Sequence, residues 1–204
     1  MLGAFAMINS RDLLWSRIVR DYLMGVRQPL TDLAAWNADA TRMPYRQHRE
    51  YLERLYLNND LAEGRYHIDG KAIALTDIHA PIFSVGTRRD TVSPWRSVYK
   101  VHLLIDADVT FCLTTGGHNA GVVNPPEGGE ARSFQVSTRV AGGRYVDPDI
   151  WQSSVPVHAG SWWPQWESWL RQRAGTQDPA PEPGAAQAGY PPLAEAPGSY
   201  VLAR

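Results

Sequence analysis

The sequence predicts an α/β protein with a parallel sheet, and three observations carry this prediction. From Thr76 onward, short apolar runs alternate with helical patterns, which is the order that builds a parallel sheet with covering helices. Residues 1–64 are instead mainly helical in pattern. An acidic residue and a histidine each follow one of the apolar runs, at the position where open α/β sheets bind their ligands.

The first part of the chain contains two predicted helices and a hairpin. Apolar residues recur at helical spacing over residues 10–24, and Gly25 can end that helix. Pro44 suits the start of a second helix over residues 45–60. The pair Asp69-Gly70 between two strand-like runs predicts a tight β-hairpin.

The sheet-forming region supplies the remaining elements, in the order strand 78–86, helix 93–105, strand 108–113 and helix 160–175. An alternating segment at residues 132–140 is predicted as an edge strand. Residues 176–204 are rich in Pro, Ala and Gly and have little to bury, so they are predicted as an extended tail. The predicted organisation is a helical segment (1–64), a sheet-forming core (65–175) and this tail.

Composition argues against several classes of function. With 20 basic and 21 acidic residues and no basic stripe, no nucleic-acid partner is expected. No apolar run approaches the length of a membrane span, and the first residues lack the basic region and cleavage site of a signal peptide. The six histidines are scattered and the glycines match no phosphate loop, so neither a metal nor a bound cofactor is expected.

Asp90 and His118 are the candidate catalytic residues. Asp90 lies in the turn GTRRDTVSPW after the first apolar strand, and His118 follows the second strand and the glycines of TTGG. Taken singly, Asp90 suits a turn or helix cap, and His118 suits a loop histidine bonded to a carbonyl. Together they say more, because neighbouring parallel strands would bring both to one sheet edge. A carboxylate beside an imidazole fixes its tautomer and makes it an effective base.

The nucleophile that such a pair serves is missing from the sequence. The chain order nucleophile, acid, histidine is typical of α/β-hydrolases, whose nucleophile lies in a sharp G-x-S-x-G or G-x-C-x-G turn. Neither motif occurs in the 204 residues. The single cysteine, Cys112, lies within a predicted strand between Phe111 and Leu113, where a buried core thiol is the expected role.

Several long strings resemble the C-terminal half of polyhydroxyalkanoate synthases, among them NSRDLLWSRIVRDYL, YLERLYLNNDLAEG, APIFSVGTRRDTVSPWRSVY, TTGGHNAGVVNPP and GSWWPQW. The resemblance implies the last core strands and helices of an α/β-hydrolase fold, preceded by a helical cap, with an incomplete sheet. It also implies a Cys-His-Asp triad in which Asp90 is the acid, His118 is the histidine and the cysteine lies upstream of the matched region. The family often has His after the aspartate, where this chain has Thr91, a local departure.

The resemblance implies a cytoplasmic, granule-associated acyltransferase that passes 3-hydroxyacyl groups from coenzyme A thioesters to a growing polyester. Because the chain lacks the cysteine, we expect it to be inactive alone and to act with an N-terminal synthase fragment or as a homo-oligomer. Strands without their neighbours leave unpaired edges, so we also expect marginal stability in isolation. The alternatives are a non-catalytic protein that binds the granule or a full-length synthase, and a small hydrolase with an unrecognised nucleophile.

Overall fold

The computed structural model describes residues 15–16, 18–26, 43–126 and 132–195. They fall into a helical unit and a sheet-containing unit, divided between Leu61 and Ala62. Residues 10–14 and 17 of the first predicted helix, and the last nine residues of the tail, lie outside the described residues. The division expected from the sequence, into a helical segment, a sheet-forming core and a tail, remains a prediction.

The helical unit contains wide-turn helical segments. Ile18–Leu23 is π-helical, and just after it the amide of Met24 donates to the carbonyl of Val19 at 2.9 Å. Helix α1, Tyr45–Glu50, begins directly after Pro44, as the sequence predicts. It passes into a π-helical segment, Tyr51–Leu57, whose wider turn is a feature that the hydrophobic pattern does not predict.

The predicted hairpin is confirmed. Strands β1, Tyr66–Ile68, and β2, Lys71–Ile73, pair antiparallel around a two-residue turn. Asp69 and Gly70 both have positive φ, 49° and 78°, which is what a tight turn matching the twist of the strands requires. The turn residues predicted from the sequence therefore adopt the conformation that the hairpin requires.

The second sheet has four strands in spatial order β3-β4-β5-β6, with bounds Ile82–Thr87, Val109–Thr114, Ser133–Arg139 and His158–Ala159. β3 and β4 are parallel, but β4 pairs antiparallel with β5, and β5 with β6. The prediction of a parallel sheet is therefore correct for one pair only, and the sheet is mixed. The prediction of β5 as an edge strand is wrong, because β4 and the two-residue β6 flank it.

The helices between the strands differ in part from prediction. The single helix expected at residues 93–105 is two short ones, α2 (Trp95–Val98) and α3 (Val101–Leu104), because Tyr99 and Lys100 form a tight turn between them. Helix α4, Pro148–Ser154, was not predicted. Its start is nevertheless encoded, since the Asp147 carboxylate accepts from two amides and proline follows directly. Helix α5, Trp163–Arg171, lies within the predicted range.

The core lies on both faces of β4, every residue of which is buried. One cluster packs α2 and α4 against alternate β4 residues, and its members are Trp95, Tyr99, Phe111, Leu113 and Trp151. The other face holds Cys112, Phe134 and Trp162, with Phe83 and Val85 of β3 packed against them. A strand buried on both faces explains the continuous apolar run that marked β4 in the sequence.

The described part of the tail is solvent-exposed throughout residues 176–195, as expected of a segment with little to bury. It contains a short 3-10 helix, Ala186–Ala188, and the residues on either side, Ala185 and Tyr190, exchange backbone hydrogen bonds at 2.7 and 3.1 Å. No helix among the described residues is long and apolar enough to cross a membrane.

Candidate active site

The parallel pairing of β3 and β4 brings the two candidate residues together. The strands are in register to their last residues, with Thr87 opposite Thr114. Asp90 lies three residues beyond the end of β3 and His118 four residues beyond the end of β4. The Nδ1 atom of His118 lies 2.9 Å from Oδ2 of Asp90. The geometric part of the sequence argument is therefore correct, and the catalytic role of the pair stays a prediction.

Asp90 is a largely buried carboxylate with a full set of hydrogen-bond donors. Its side chain is 7% exposed, and Oδ1 accepts the backbone amides of Val92 and Ser93, each at 2.8 Å. Burial acts to raise the pKa of Asp90, but the hydrogen bonds from Ser93, His118 and Val92 together outweigh it and hold the pKa below the ordinary value of 3.8. Asp90 is thus an ionised acceptor that both shapes its turn and orients the histidine.

His118 is oriented by Asp90 on one side and open to solvent on the other. Half of its side chain is exposed, and Nδ1 faces the carboxylate. With the carboxylate ionised, the hydrogen-bond network assigns the proton to Nδ1, which leaves the lone pair on Nε2. Among the described residues Nε2 has no hydrogen-bond partner. This arrangement can take a proton from a group placed next to Nε2.

Backbone hydrogen bonds continue from the sheet into the two turns that carry the pair. The amide of Arg88 donates to the carbonyl of Thr114 at 2.9 Å, and the amide of Arg89 donates to the carbonyl of Gly116 at 3.0 Å. The two turns are therefore fixed to each other independently of the side chains of Asp90 and His118. These bonds fix the starts of the two turns, but they do not reach His118 itself.

Two glycines make the histidine turn possible. Gly116 has φ of +118°, and a Cβ there would lie 2.6 Å from the Cα of Gly121. A Cβ at Gly121 would lie 2.5 Å from the Cγ2 atom of Thr87 and 2.8 Å from the carbonyl oxygen of Gly117. Side chains at either position would force these segments apart. Gly116 and Gly121 of the string TTGGHNAG are therefore required by the close packing of this turn.

Sequence reasoning missed the residues that surround this turn. The indole N–H of Trp162 donates to the carbonyl of Gly121 at 3.2 Å, and that of Trp163 donates to the carbonyl of Val122 at 3.0 Å. The string GSWWPQW was the available signal, but the spacing of its tryptophans indicates only an apolar helix face. Contact with the histidine turn, 41 residues earlier in the chain, is visible only in the tertiary structure.

A second missed feature ties the acid's turn to β5. Arg88 donates to Oε1 of Gln135 at 2.6 Å, and the Gln135 amide group donates to the carbonyls of Gln152 and Val155 at 2.7 and 2.6 Å. Gln135 is almost completely buried within β5. A buried amide with its donors and acceptor satisfied holds the elements around it in one arrangement.

Cys112 is the buried core thiol that its sequence context predicts. It lies within β4 with no exposed surface, and burial raises its pKa to about 12. A thiol with so high a pKa is protonated at neutral pH and is not a nucleophile. The described residues contain no group of three or more side chains suited to bind a metal ion.

The fold and site define the chain as a mixed α/β protein with a carboxylate–imidazole pair at the ends of two parallel strands. No family model matches it. It is 40% identical over 201 residues, 98% of its length, to the poly(3-hydroxyalkanoate) polymerase of Methylorubrum extorquens. It is 39% identical over 206 residues to the polymerase subunit PhaC of Rhizobium etli, and 34% identical over 205 residues to that of Cupriavidus necator.

These similarities cover essentially all of this chain and confirm the resemblance to polyhydroxyalkanoate synthases. The chain spans only about a third of the relatives' length, 32%, 31% and 34% respectively.

Proposed function

We propose that this chain is the C-terminal portion of a polyhydroxyalkanoate synthase with an α/β-hydrolase core. In this proposal it supplies the acid and the base for transfer of 3-hydroxyacyl groups from coenzyme A thioesters to a growing polyester. The observation that carries the proposal is the 2.9 Å contact between Nδ1 of His118 and Oδ2 of Asp90. That pair lies in a chain that aligns over 98% of its length with a curated polymerase.

His118 acts as the base in both halves of the proposed reaction. A cysteine from a segment outside this sequence loses its thiol proton to Nε2, and its sulfur attacks the thioester carbonyl. The bond to coenzyme A breaks, and the departing thiolate takes the proton back from the imidazolium. The hydroxyl group at the end of the growing polyester then attacks the carbonyl of the acyl-cysteine and forms the new ester bond. The bond to the cysteine sulfur breaks, and the hydroxyl proton passes through Nε2 to that sulfur. Asp90 stabilises the imidazolium at each stage.

The edge of β3 supports the proposal that a further polypeptide segment completes the site. Within the described residues β3 pairs only with β4, so its other edge has no strand partner there, while Phe83 and Val85 pack on one face of the sheet. Parallel strands with apolar side chains are normally flanked and covered on both sides. We propose that an N-terminal synthase segment pairs along this edge, brings the cysteine to Nε2 of His118, and assembles with this chain at the polyester granule in the cytoplasm.

The test is release of free coenzyme A from 3-hydroxybutyryl-CoA. The purified chain is assayed alone and together with the remaining N-terminal segment of the Methylorubrum extorquens relative. We expect release only in the combined reaction, and a fall of about 10²–10⁴-fold with His118→Ala, because the base is then lost. His79→Ala, which removes an exposed histidine from another part of the sheet-containing unit, is the matched control and is expected to retain activity.

Each outcome of this assay has a clear meaning. Release by the chain alone would contradict the requirement for an external cysteine. Release in the combined reaction that persists in His118→Ala would contradict the role of the histidine. Binding to polyester granules with no release in any combination that contains a competent cysteine segment would favour the non-catalytic alternative.

A further inference from the structure

The turn that carries His118 is secured by donors from a distant part of the chain. Within the turn, the amide of Gly121 donates to the carbonyl of Gly117 at 2.9 Å, which closes the loop around the histidine. Further along the turn, the carbonyls of Gly121 and Val122 each accept one indole N–H. The donors are consecutive residues, Trp162 and Trp163, at the start of α5.

Packing holds Trp162 in place, and the partly buried Trp163 packs against the same cluster. Trp162 is 5% exposed, and its ring stacks on Phe83 of β3 with centroids 6.0 Å apart and planes at 23°. It also belongs to the cluster that contains Cys112 of β4. The ring is therefore fixed against both strands that lead to the acid and the histidine. Because the position of the Trp162 ring is set by β3 and β4, its N–H can hold the histidine turn in a fixed position relative to both strands.

The segment before α5 adds another bond to the same loop. The hydroxyl of Ser161 donates to the carbonyl of Asn124 and accepts the amide of Trp163 at 3.1 Å. Asn124 is fully buried, and its side chain reaches the hydroxyl of Thr114 at the end of β4, 3.3 Å away. Residues 161–163 thus bind the loop at the carbonyls of residues 121, 122 and 124.

Thr87 lies against the histidine turn at the end of β3. Its methyl group occupies the space that a side chain at Gly121 would need, since a Cβ there would lie 2.5 Å away. The carbonyl of Thr87 also accepts the amide of Asp90 at 3.3 Å. The histidine turn is therefore held by the two tryptophans and by a residue that contacts the acid directly.

We propose that Trp162 and Trp163 are positioning residues that hold His118 at hydrogen-bonding distance from Asp90. They act through the backbone carbonyls of Gly121 and Val122 and do not touch the reacting groups. This inference deepens the proposed function and rests on it for its catalytic consequence. Its structural content, an indole-dependent His118–Asp90 hydrogen bond, is measurable without any substrate.

The first test uses proton NMR of the full chain. The low-field Nδ1 proton of His118 is assigned by its disappearance in His118→Gln and is followed in Trp162→Phe, Trp163→Phe and the double variant. We expect its exchange with water to rise at least about tenfold in the double variant, because phenylalanine keeps the aromatic packing but has no N–H. Unchanged exchange in a folded double variant would overturn the proposal.

Trp166→Phe is the matched control. Trp166 lies on the same helix, is 41% exposed, and its ring is tilted at 49° to that of Trp162 with centroids 5.8 Å apart. Among the described residues its indole makes no bond to the histidine turn. We expect this variant to leave the Nδ1 proton unchanged. An effect as large as that of the double variant would mean that any loss of helix packing disturbs His118, and would contradict a specific role of the two donors.

Exchange of the indole N–H protons with water in the wild-type chain tests the proposal even if the variants fail to fold. The N–H protons of Trp162 and Trp163 are expected to exchange at least about tenfold more slowly than that of Trp166, because they are bonded to carbonyls. Equal rates would overturn the proposal. In the combined assay, Trp163→Phe is expected to lower kcat about 10- to 100-fold with little change in KM. If no combination releases coenzyme A, the proposed function fails while the NMR result still decides the positioning role.

Discussion

The two ends of the β3–β4 pair contain two histidines in opposite surroundings. At the carboxyl end, His118 is half-exposed and bonded to a carboxylate. At the amino end, beside the start of β4, His102 is buried and its Nδ1 accepts from Arg139 at 3.3 Å. Its Nε2 is buried and has no hydrogen-bond partner among the described residues.

The difference shows how one side chain serves two purposes. Burial, together with the nearby charge of Arg139, lowers the pKa of His102 to about 4. His102 is therefore neutral and packs as an aromatic ring beside Tyr99 and Phe111, with centroids 4.5 and 6.0 Å away. His118 faces an anion and keeps one nitrogen open. Charge and access, more than the residue type, separate a structural histidine from a candidate base.

The largest expected effect removes the anion from the carboxyl end. Asp90→Asn keeps the size of the side chain but removes the charge that stabilises the imidazolium and selects its tautomer. We expect coenzyme A release in the combined reaction to fall by about 10²–10⁴-fold, as it does when the base itself is removed. Arg139→Met, at the other end of the sheet, is expected to lower stability more than specific activity per folded molecule. Comparable loss of specific activity in both variants would mean that the two ends are not functionally distinct.

The next effect is a pH dependence that originates at the amino end. Because the folded-state pKa of His102 lies below the unfolded value of about 6.5, the unfolded chain binds the proton more readily. Protonation of His102 should therefore leave the free energy of unfolding unchanged above about pH 6.5. That free energy should fall by about 3 kcal/mol as the pH drops toward 4. Urea unfolding between pH 7 and pH 4 measures this.

His102→Gln provides the control for that pH dependence, since the amide can still accept from Arg139 but does not titrate. We expect its unfolding free energy to change much less over the same range. Asp90 contributes in a lower window, since its pKa is held below 3.8 and its stabilisation is lost only as the pH falls below that value. An equal loss between pH 7 and pH 4 in His102→Gln would show that other groups are responsible.

A smaller effect concerns the tight contact beneath the histidine turn. Gly121→Ala places a methyl group against Thr87 and the carbonyl of Gly117, so the turn must shift. We expect a loss of about 1–3 kcal/mol in the free energy of unfolding, with a larger proportional loss of activity. Gly175→Ala, where a Cβ would meet nothing within 4 Å, is the control for chemical denaturation. A wild-type stability and activity in Gly121→Ala would contradict the steric account of the turn.

The smallest expected effect concerns the hydroxyl of Thr87. Its oxygen lies 3.5 Å from Oδ2 of Asp90, at the long limit of a hydrogen bond, and the residue is buried. Thr87→Val keeps the shape that packs against Gly121 and removes only this weak donor. We expect a change of less than about 1 kcal/mol in unfolding free energy and less than about tenfold in activity. A loss approaching that of Asp90→Asn would place Thr87 among the residues that support the acid directly.

Much of the fold and the candidate pair was predictable because the signals are short-range. Asp69-Gly70 favours its tight turn through local backbone preference, and the apolar run of β4 marks a strand buried on both faces. Asp90 and His118 were predictable as a pair because each closely follows an apolar run that predicts a strand. The start of α4 was encoded equally locally, at Asp147 and Pro148, and was overlooked.

Long-range packing decided the rest. An alternating segment such as β5 forms either an edge or an interior strand, and only the presence of β6 made it interior. The break between α2 and α3 places Tyr99 in the core, and the roles of Trp162 and Trp163 depend on a turn 41 residues away. The sequence by itself determined the candidate acid and the candidate base, Asp90 and His118. The tertiary structure decided which neighbours hold them, because hydrogen bonds and packing between distant segments leave no local pattern in the chain.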